Sequence, residues 1–456
     1  RHLLQSAWVT GKDVPAPLLV SIAEMPEDDL RASLAALQAG EFLYERSLFP
    51  DLEYTFKHSL THEVAYGSLL RDRRRDLHGR IVDSIGALYR DRLPEHVERL
   101  AHHAQQSERW TQPADFCWQA GRKAIARSAN REAVTYFEQA LEALEHHVHE
   151  GTLDQAFDIR LDLRSALIPL GEFARVFQML HELESLAERL RDRRRQGLVY
   201  ALMAGAYPNL GRADQAVVYG EQAREIAAQI GDSTIAILAN TYLGVARYFL
   251  GDYQGCLECT RRVIELLPRE RSHESFGVAI RPAVFARGFL CWALSDLGRF
   301  DEGEAMARET LEIAEAVGHP QTVVSGLLTI GTLHVRRGDV ALAIAPFERA
   351  RDLCLRHDVP LWRPVFAAFL GYSLALTARF TEAESLLREA MEQSAVMRMG
   401  SFHSQLIMWL SEARLLMGAV GDAGKLADDA LECTREKHEA GLESWALHLA
   451  AEVTTP

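Results

Sequence analysis

Apolar residues recur at helical spacing along most of the chain, and polar turns interrupt them at intervals. Tyr242 to Leu250 and Tyr253 to Leu267 are two such apolar-periodic segments, separated by Gly251 and Asp252. Gly251 breaks the first segment, and Pro268 ends the second because proline cannot continue a helix. The pattern therefore predicts a hairpin of two helices.

The predicted turn recurs at a nearly constant spacing. Its first residue is in turn Gly171, Gly211, Gly251, Gly298, Gly338, Ala378 and Gly418. The successive spacings are 40, 40, 47, 40, 40 and 40 residues, and a compact residue follows five positions after each turn residue. A fixed period of this kind is typical of a solenoid. The longer interval predicts an extended loop around Arg269–Gly277.

The repeat pattern resembles the tetratricopeptide repeat (TPR), with its small residues, turn glycine and aromatic residue two positions later. That repeat is about 34 residues long, so a period of 40 residues implies longer helices or loops. An earlier copy without a turn glycine has small and aromatic residues at the matching positions, namely Gly121, Ala124, Ala133, Phe137 and Ala140. The resemblance covers residues 111–453 and implies an all-α, right-handed, TPR-like superhelical solenoid of about eight helical hairpins.

The first 70 residues lack the repeat and show a different order of elements. Their pattern predicts three helices followed by two short strands, at Leu3–Trp8, Ala16–Ile22, Glu27–Gln38, Phe42–Glu45 and Tyr54–His58. Pro26 precedes the third helix, and acidic residues in its first turn suit the helix dipole. Helix, helix, helix, strand, strand is the outline of a winged helix.

The predicted organisation therefore has three parts. Residues 1–70 form a winged-helix-like domain, residues 71–110 form connecting helices, and residues 111–456 form the TPR-like solenoid with a C-terminal capping helix.

Three stretches resemble one bacterial family, the multidomain adenylate/guanylate cyclases that join a class III cyclase domain, a signal-transduction ATPase domain and TPRs. They are Leu48–Leu70, Leu93–His103 and Ala126–Ala140. The resemblance implies that the chain is the C-terminal arm of such a protein, and its start at Arg1 rather than Met fits a piece of a longer product. ATP or ADP and Mg would then belong to the upstream domains.

The chain itself lacks the motifs for that catalysis. No G-x-x-x-x-G-K-[ST] phosphate loop occurs in the sequence; Thr10-Gly11-Lys12 is the nearest stretch, and it lacks the leading glycine and the following hydroxyl residue. The paired aspartates of a cyclase domain cannot be placed either. We therefore expect a chain that is not an enzyme and carries no cofactor of its own.

Composition and charge limit the cellular environment and the classes of partner that we expect for this chain. The formal net charge of −14 argues against nucleic acid as a partner, and 48% apolar residues argue against wholesale disorder. The six cysteines are scattered, and Cys256 and Cys259 form a CxxC inside a repeat helix with no second pair at zinc-finger spacing. The apolar run Pro364–Leu376 is shorter than the ~20 residues of a membrane span. These features predict structural cysteines, no metal, no membrane segment and a cytoplasmic location.

His58 is the candidate for nucleotide sensing. Phe56-Lys57-His58 resembles a motif of signalling ATPases in which a histidine at the end of the winged-helix strand reaches the nucleotide phosphates. In that role the imidazole would distinguish diphosphate from triphosphate by hydrogen bonding. The alternative is a structural histidine that caps the following helix.

Other histidines and a basic run are weaker candidates for a functional site than His58. His62-Glu63-Val64-Ala65-Tyr66 lacks the second histidine of a zinc protease. His96 and His103 are seven residues apart and could share a helix face, but no carboxylate or cysteine has matching spacing, so we expect these residues and His102 to be surface histidines. The basic run Arg71–His78 is interrupted by aspartates, which favours a solvated helix start or a surface facing the upstream ATPase domain.

The concave groove of the solenoid is the second candidate surface. In TPR-like arrays the first helix of each hairpin lines the concave side. The repeat register places six residues there: Tyr248, Phe285, Trp292, Ser295, Thr332 and Tyr372. Exposed aromatic residues in a concavity favour a peptide or protein partner. The alternative is that some of them pack between helices.

The sequence thus predicts a regulatory arm of a cyclic-nucleotide signalling protein, which binds a partner or effector in the groove and relays it to upstream ATPase and cyclase domains. One alternative is the same arm from a large ATP-binding LuxR-type transcription regulator. Those regulators add a C-terminal helix-turn-helix, whereas Ala440–Glu452 is a single closing helix without a basic reading helix. A stand-alone TPR adaptor is the other alternative.

Overall fold

The computed structural model describes residues 2–47, 52–56, 69–108, 113–146 and 151–454. The chain divides into two compact units, an N-terminal unit of residues 1–159 and a C-terminal unit of residues 160–456. The boundary between the units lies inside one helix. The division predicted at residues 70 and 110 remains a prediction.

The N-terminal unit combines helices with a small sheet. Its elements are α1 (His2–Thr10), β1 (Asp13–Pro15), α2 (Ala16–Ile22), α3 (Glu27–Ala39), β2 (Leu43–Ser47), β3 (Glu53–Phe56), α4 (Arg71–Leu88), a 3-10 turn (Arg90–Glu95), α5 (Val97–Gln106), α6 (Pro113–Ala126), α7 (Asn130–His146) and the start of α8 (Thr152–Leu167).

The three helices and two strands predicted for the start of the chain are present within a residue or two. The structure adds β1, which the sequence did not predict, and the three strands form an antiparallel sheet in the order β1-β3-β2. The side chain of Thr55 on β3 donates to Asp13 on β1 at 2.6 Å, which ties the short first strand to the sheet. The winged-helix interpretation remains a prediction, and His58 lies outside the described residues.

The C-terminal unit consists of successive helices. After α8 come α9 (Phe173–Leu190), α10 (Arg193–Ala206), α11 (Ala213–Ile230), α12 (Ser233–Phe249), α13 (Tyr253–Leu266), α14 (Pro282–Asp296), α15 (Phe300–Val317), α16 (Pro320–Arg337), α17 (Val340–Arg356), α18 (Arg363–Leu376), α19 (Phe380–Met397), α20 (His403–Leu416), α21 (Val420–Glu436) and α22 (Ala440–Thr454).

Every turn predicted from the repeat lies between two helices. The turn glycines adopt positive φ, from +72° at Gly211 to +90° at Gly338, which is the left-handed conformation that ends many helices. The longer repeat interval forms the predicted loop, which runs between Leu266 and Pro282 and contains a 3-10 turn at Arg269–Arg271. The fold is therefore the predicted all-α, TPR-like solenoid of helical hairpins, with α22 as its closing helix.

The compact residues after each turn lie where helices approach most closely. Ala216, Cys256, Ala343, Ala383 and Ala423 are all fully or almost fully buried. A larger side chain at these positions would separate the two helices of the hairpin, which explains why the repeat keeps them small.

Ala378 occupies a turn position that glycine occupies in the other repeats, and it does so at φ +61° with an exposed side chain. The left-handed conformation costs a residue with a Cβ about 1–2 kcal/mol, partly offset by the greater freedom of glycine in the unfolded chain. We expect Ala378→Gly to raise the free energy of unfolding of the C-terminal unit by about 0.5–1 kcal/mol. Urea unfolding measures this change.

Gly338→Ala is the matched reverse substitution, because Gly338 has φ +90° and a Cβ there would meet no atom within 4 Å. It should lower the free energy of unfolding by a similar amount. If both variants shift stability in the same direction, the backbone explanation is wrong.

The solenoid closes on itself. The turn between α10 and α11 meets the loop between α19 and α20, where the Gly400 amide donates to the Asn209 carbonyl at 2.6 Å. The Leu361 amide likewise donates to the Pro169 carbonyl at 3.2 Å. We call these two contacts the closure seam. A Cβ at Gly400 would overlap the backbone of Leu210 and Gly211, so this approach requires glycine.

The helices of the described part of the chain show no membrane-spanning candidate: none is both long enough and apolar enough to cross a bilayer.

Candidate functional site

Closure of the solenoid forms a partly open cavity of about 150 Å³ in the C-terminal unit. Its wall is mostly aromatic and aliphatic, and includes Phe173, Phe289, Trp292 and Phe402. One charged side chain, that of Arg164, also forms part of the wall. An apolar cavity with a few polar groups is the usual form of a small-ligand site.

The wall comes from both sides of the closure seam. Phe173 on α9 and Asn209 before α11 belong to the early hairpins, whereas Trp362 before α18 and Phe402 before α20 belong to the late ones. These two sets meet only because the solenoid closes. The complete cavity therefore exists only in the closed arrangement.

Two of the six predicted groove residues, Phe285 and Trp292, line this cavity. The Trp292 side chain is 4% exposed, so it is buried in the cavity wall rather than exposed on an open groove. Its indole Nε1 is buried and has no hydrogen-bond acceptor among the described residues. Phe285 packs edge-on against Phe289 with ring centroids 5.1 Å apart.

The other four predicted groove residues lie outside the cavity wall. Tyr372 is buried, donates to Glu412 at 2.8 Å and stacks on Trp409. Ser295 is buried and donates to the carbonyl of its own helix four residues back. Thr332 is buried, and its hydroxyl finds no partner among the described residues. These three side chains are packed between helices rather than exposed.

Tyr248 belongs to a polar cluster beside the cavity. Its hydroxyl donates to Asp296 at 2.9 Å and accepts from Arg336 at 2.7 Å, and Arg336 also forms an ion pair with Asp296. The side chains of Arg336 and Asp296 are only 14% and 13% exposed. We call these three residues the Arg336 cluster. Burial and the neighbouring carboxylate raise the pKa of Tyr248 well above its usual value, so it stays a neutral donor.

Arg164 is the residue of the cavity that the sequence interpretation missed. Its side chain is 2% exposed, and its Nε and Nη1 have no hydrogen-bond acceptor among the described residues. The sequence held one signal for it, since Arg164 follows Phe157 by seven residues and precedes Leu167 by three, on the apolar side of a helical period. An arginine side chain is rarely fully buried in a protein unless it is paired with another group.

The two cysteines of the CxxC are buried in the helix α13. Cys256 is fully buried and its thiol contacts the Phe289 carbonyl at 3.7 Å, while Cys259 is 2% exposed. Burial raises the pKa of both thiols, which keeps them protonated and poorly reactive. Within the described ranges, no group of three or more histidine, cysteine or acidic side chains could hold a metal ion.

The basic run at the start of α4 forms ion pairs within the N-terminal unit. Arg71 and Arg75 bind Glu108, with the first contact at 2.7 Å, and Arg73 binds Glu24 at 2.6 Å. These carboxylates neutralise much of the charge that a nucleic acid would require.

The expectation of surface histidines is wrong for His103, which is 2% exposed. Its Nδ1 lies 2.8 Å from Nδ1 of His78, which is equally buried. His96 is stacked on Tyr89 instead, with ring centroids 4.2 Å apart. The seven-residue spacing did not indicate this pair because its partner lies on a different helix, α4.

Comparisons with known proteins agree with this fold. The crystal structure of a Signal Transduction ATPase with Numerous Domains (STAND) protein with a TPR sensor from Pyrococcus horikoshii matches 97% of this chain and 64% of its own, with a TM-score of 0.51 and 14% identity. A Rap protein complexed with Competence and Sporulation Factor matches 75% of this chain and 98% of its own, with a TM-score of 0.50 and 13% identity. At such identities the likeness shows the fold alone.

One curated relative, an uncharacterized protein of Rhizobium meliloti (strain 1021), is 23% identical over 99% of this chain. The chain spans 44% of the length of that relative. No protein-family model matches the chain.

Proposed function

We propose that the chain is a non-catalytic sensing arm whose C-terminal unit binds an effector in the cavity formed by the closed solenoid. The observation that carries this proposal is the composition of the cavity wall from early and late hairpins. A ligand that contacts both sets binds the closed arrangement better than an open one. Such differential affinity is the requirement for a ligand to shift a conformational equilibrium.

The closure seam is suited to such a shift. It consists of backbone hydrogen bonds at loops, such as that between the Gly400 amide and the Asn209 carbonyl, and aromatic packing between Phe249 and Phe402 lies beside it, with ring centroids 5.5 Å apart. Each bond contributes about 1 kcal/mol net. A bound effector that contacts both the early and the late hairpins would add to these contacts and favour the closed arrangement.

The sequence interpretation expected a peptide or protein partner in the groove, and the size of the cavity limits how much of such a partner it can hold. The cavity of about 150 Å³ is smaller than drug-sized pockets, which are about 300–1,000 Å³. It fits a small molecule or one terminal residue of a peptide or protein. The Rap protein complexed with Competence and Sporulation Factor and the STAND protein with its TPR sensor are consistent with a ligand-binding repeat.

The chain would transmit this binding to other domains of a longer protein. Its span of 44% of the curated relative supports a longer product. An upstream signal-transduction ATPase and an adenylate/guanylate cyclase are the domains that we propose, from the resemblance of the sequence. In that protein His58 is the proposed contact to the nucleotide.

Native mass spectrometry tests whether the cavity binds an effector. The purified chain would be incubated with the peptide and metabolite fraction of a bacterial extract and then desalted. Ala279→Trp places a large side chain at the cavity wall from the long loop, where backbone adjustment is easier than in a helix. His273→Trp is the control, because His273 lies on the same loop, is exposed and does not line the cavity.

The wild-type chain and His273→Trp should retain the same bound species, and Ala279→Trp should lose it. The proposal is wrong if the wild type retains nothing or if all three proteins retain the same species. In parallel, the pure chain should show no ATP hydrolysis and no cyclic-nucleotide synthesis. Turnover that a substitution within the chain abolishes would contradict the non-catalytic part.

A further inference from the structure

The charge of Arg164 is uncompensated. Among residues 160–454 no carboxylate forms an ion pair with it, and its guanidinium bonds only to the hydroxyl of Tyr242. Burial lowers the pKa of Arg164, but arginine remains protonated in proteins. A buried charge without a counter-charge is strongly unfavourable, which makes this residue an exception that requires an explanation.

Other buried arginines of the C-terminal unit show the usual solution. Arg287 is 3% exposed and donates to Glu309 at 3.2 Å, and Arg336 pairs with Asp296. Each of them has a carboxylate from a neighbouring helix. Arg164 differs because it faces the cavity, where a ligand could supply the missing carboxylate.

The other fully buried polar atoms of the cavity wall that lack a partner are also donors. Trp292 and Trp362 both line the cavity, and their buried indole Nε1 groups have no acceptor among the described residues. No fully buried side-chain acceptor of the described wall lacks a partner. A ligand that satisfies these buried donors must therefore supply acceptors, and the acceptor at Arg164 must carry negative charge.

We propose that the cavity binds the carboxylate of a ligand with a small apolar body, and that Arg164 binds this carboxylate. The inference rests on the proposed function and deepens it by naming the chemical class of the effector. A carboxylate carries one negative charge and only acceptors, which matches one guanidinium and the unpaired N–H groups. A phosphate carries more charge and hydration than this apolar wall can compensate.

The size of the cavity limits the apolar body. An engineered cavity of about 150 Å³ binds benzene, and the cavity here has a similar volume. The volume of the cavity therefore limits the apolar body to a single phenyl or a short branched aliphatic group. The carboxylate could belong to a free acid or to the C-terminal residue of a peptide, and the chemistry at Arg164 is the same.

Isothermal titration with matched acids and amides tests the proposal. Phenylacetate and phenylacetamide probe the free acid, and acetyl-Gly-Gly-Phe with a free or an amidated C-terminus probes the peptide source. At least one carboxylate should bind the full chain about 10- to 100-fold more tightly than its amide, because a charged hydrogen bond is lost in the amide. The better of the two carboxylates identifies the source.

Arg164→Met should weaken carboxylate binding by a similar factor and, in the ligand-free protein, should raise the melting temperature because it removes an unpaired buried charge. Arg160→Met is the matched control, one turn earlier on α8, where Arg160 pairs with Glu182 at 2.8 Å. It should leave carboxylate binding unchanged. Gain of stability with loss of binding is a combination that a structural arginine would not give.

Three results would overturn the inference: equal binding of acids and amides, no binding of either acid, or a fall in the melting temperature of ligand-free Arg164→Met with unchanged affinity. The native mass spectrometry above separates this failure from failure of the proposed function. If the retained ligand lacks a carboxylate, the inference about the carboxylate is wrong and the proposed sensing role still holds. Loss of all cavity-dependent binding would remove both.

Discussion

Replacing Arg336 with alanine should lower the free energy of unfolding of the C-terminal unit by about 3 kcal/mol or more. The substitution leaves the Asp296 carboxylate, 13% exposed, without its cation and removes the donor to the Tyr248 hydroxyl. An uncompensated buried charge costs several kcal/mol, whereas the intact pair is close to neutral for stability. The expected loss of stability therefore comes mainly from the Asp296 carboxylate that remains without a partner, and less from any net stabilisation by the intact ion pair.

Arg337→Ala is the control next in sequence. Arg337 pairs with Glu304 and Asp339 at side-chain exposures near 30–40% and should contribute less than about 1 kcal/mol. Urea unfolding of both variants gives the comparison. The double variant Arg336→Met/Asp296→Leu removes both charges and should recover most of the stability. Equal losses of unfolding free energy in Arg336→Ala and Arg337→Ala would show that an unpaired charge in the Arg336 cluster costs no more than one at the exposed surface.

The free energy of unfolding of the N-terminal unit should fall as the pH is lowered, and the fall should begin at a pH well above the range in which carboxylates titrate. Burial is the main cause that lowers the pKa of His78 to about 4 and that of His103 to about 2, from a usual value of 6.5. Nearby positive charge adds to the shift, from Arg74 at His78, Arg99 at His103, and His102 at both when it is protonated. Both histidines are therefore neutral in the folded unit at pH 7.

The direction of the pH effect follows from the numbers of protons that the folded and the unfolded states bind. Below pH 6.5 the unfolded chain binds protons at both histidines and the folded unit does not, so the free energy of unfolding falls as the pH falls. The slope approaches about 1.4 kcal/mol per pH unit for each histidine. The window extends from about pH 6.5 down to about pH 4, where His78 begins to accept a proton in the folded unit.

Hydrogen exchange of the α4 and α5 amides across this pH range measures the effect in the full chain. His78→Gln/His103→Gln lacks both titrating groups and should show a much flatter dependence, whatever its stability at pH 7. His448→Gln, at a side chain 76% exposed in the C-terminal unit, should keep the wild-type slope. An unchanged slope in the double variant would mean that other groups determine the acid sensitivity.

The repeat architecture could be predicted because its determinants are local. A turn glycine at Gly251 needs φ +80°, and Cys256 five residues later must be compact where two helices touch. Both requirements act between neighbouring elements and recur with each repeat, so they are visible as a period in the sequence. The extended loop before Pro282 was visible for the same reason, as an excess of residues.

The candidate site could be predicted only in part. Phe285 and Trp292 line the cavity because the repeat register determines which side of each first helix faces inward. Tyr248 and Tyr372 share that register, but their hydroxyl groups pair with Asp296 and Glu412 on other helices. Pairing across helices depends on distances between hairpins, which a repeat period does not contain.

The sequence by itself determined the helical hairpins and their turns, because these follow from helical period and backbone conformation. Only the tertiary structure decided that the solenoid closes, since the small rotation between successive hairpins accumulates until the Gly400 amide reaches the Asn209 carbonyl. Closure in turn places Arg164 and Trp362 on one cavity wall although they are far apart in the chain. The site depends on that accumulated geometry, which no single repeat specifies.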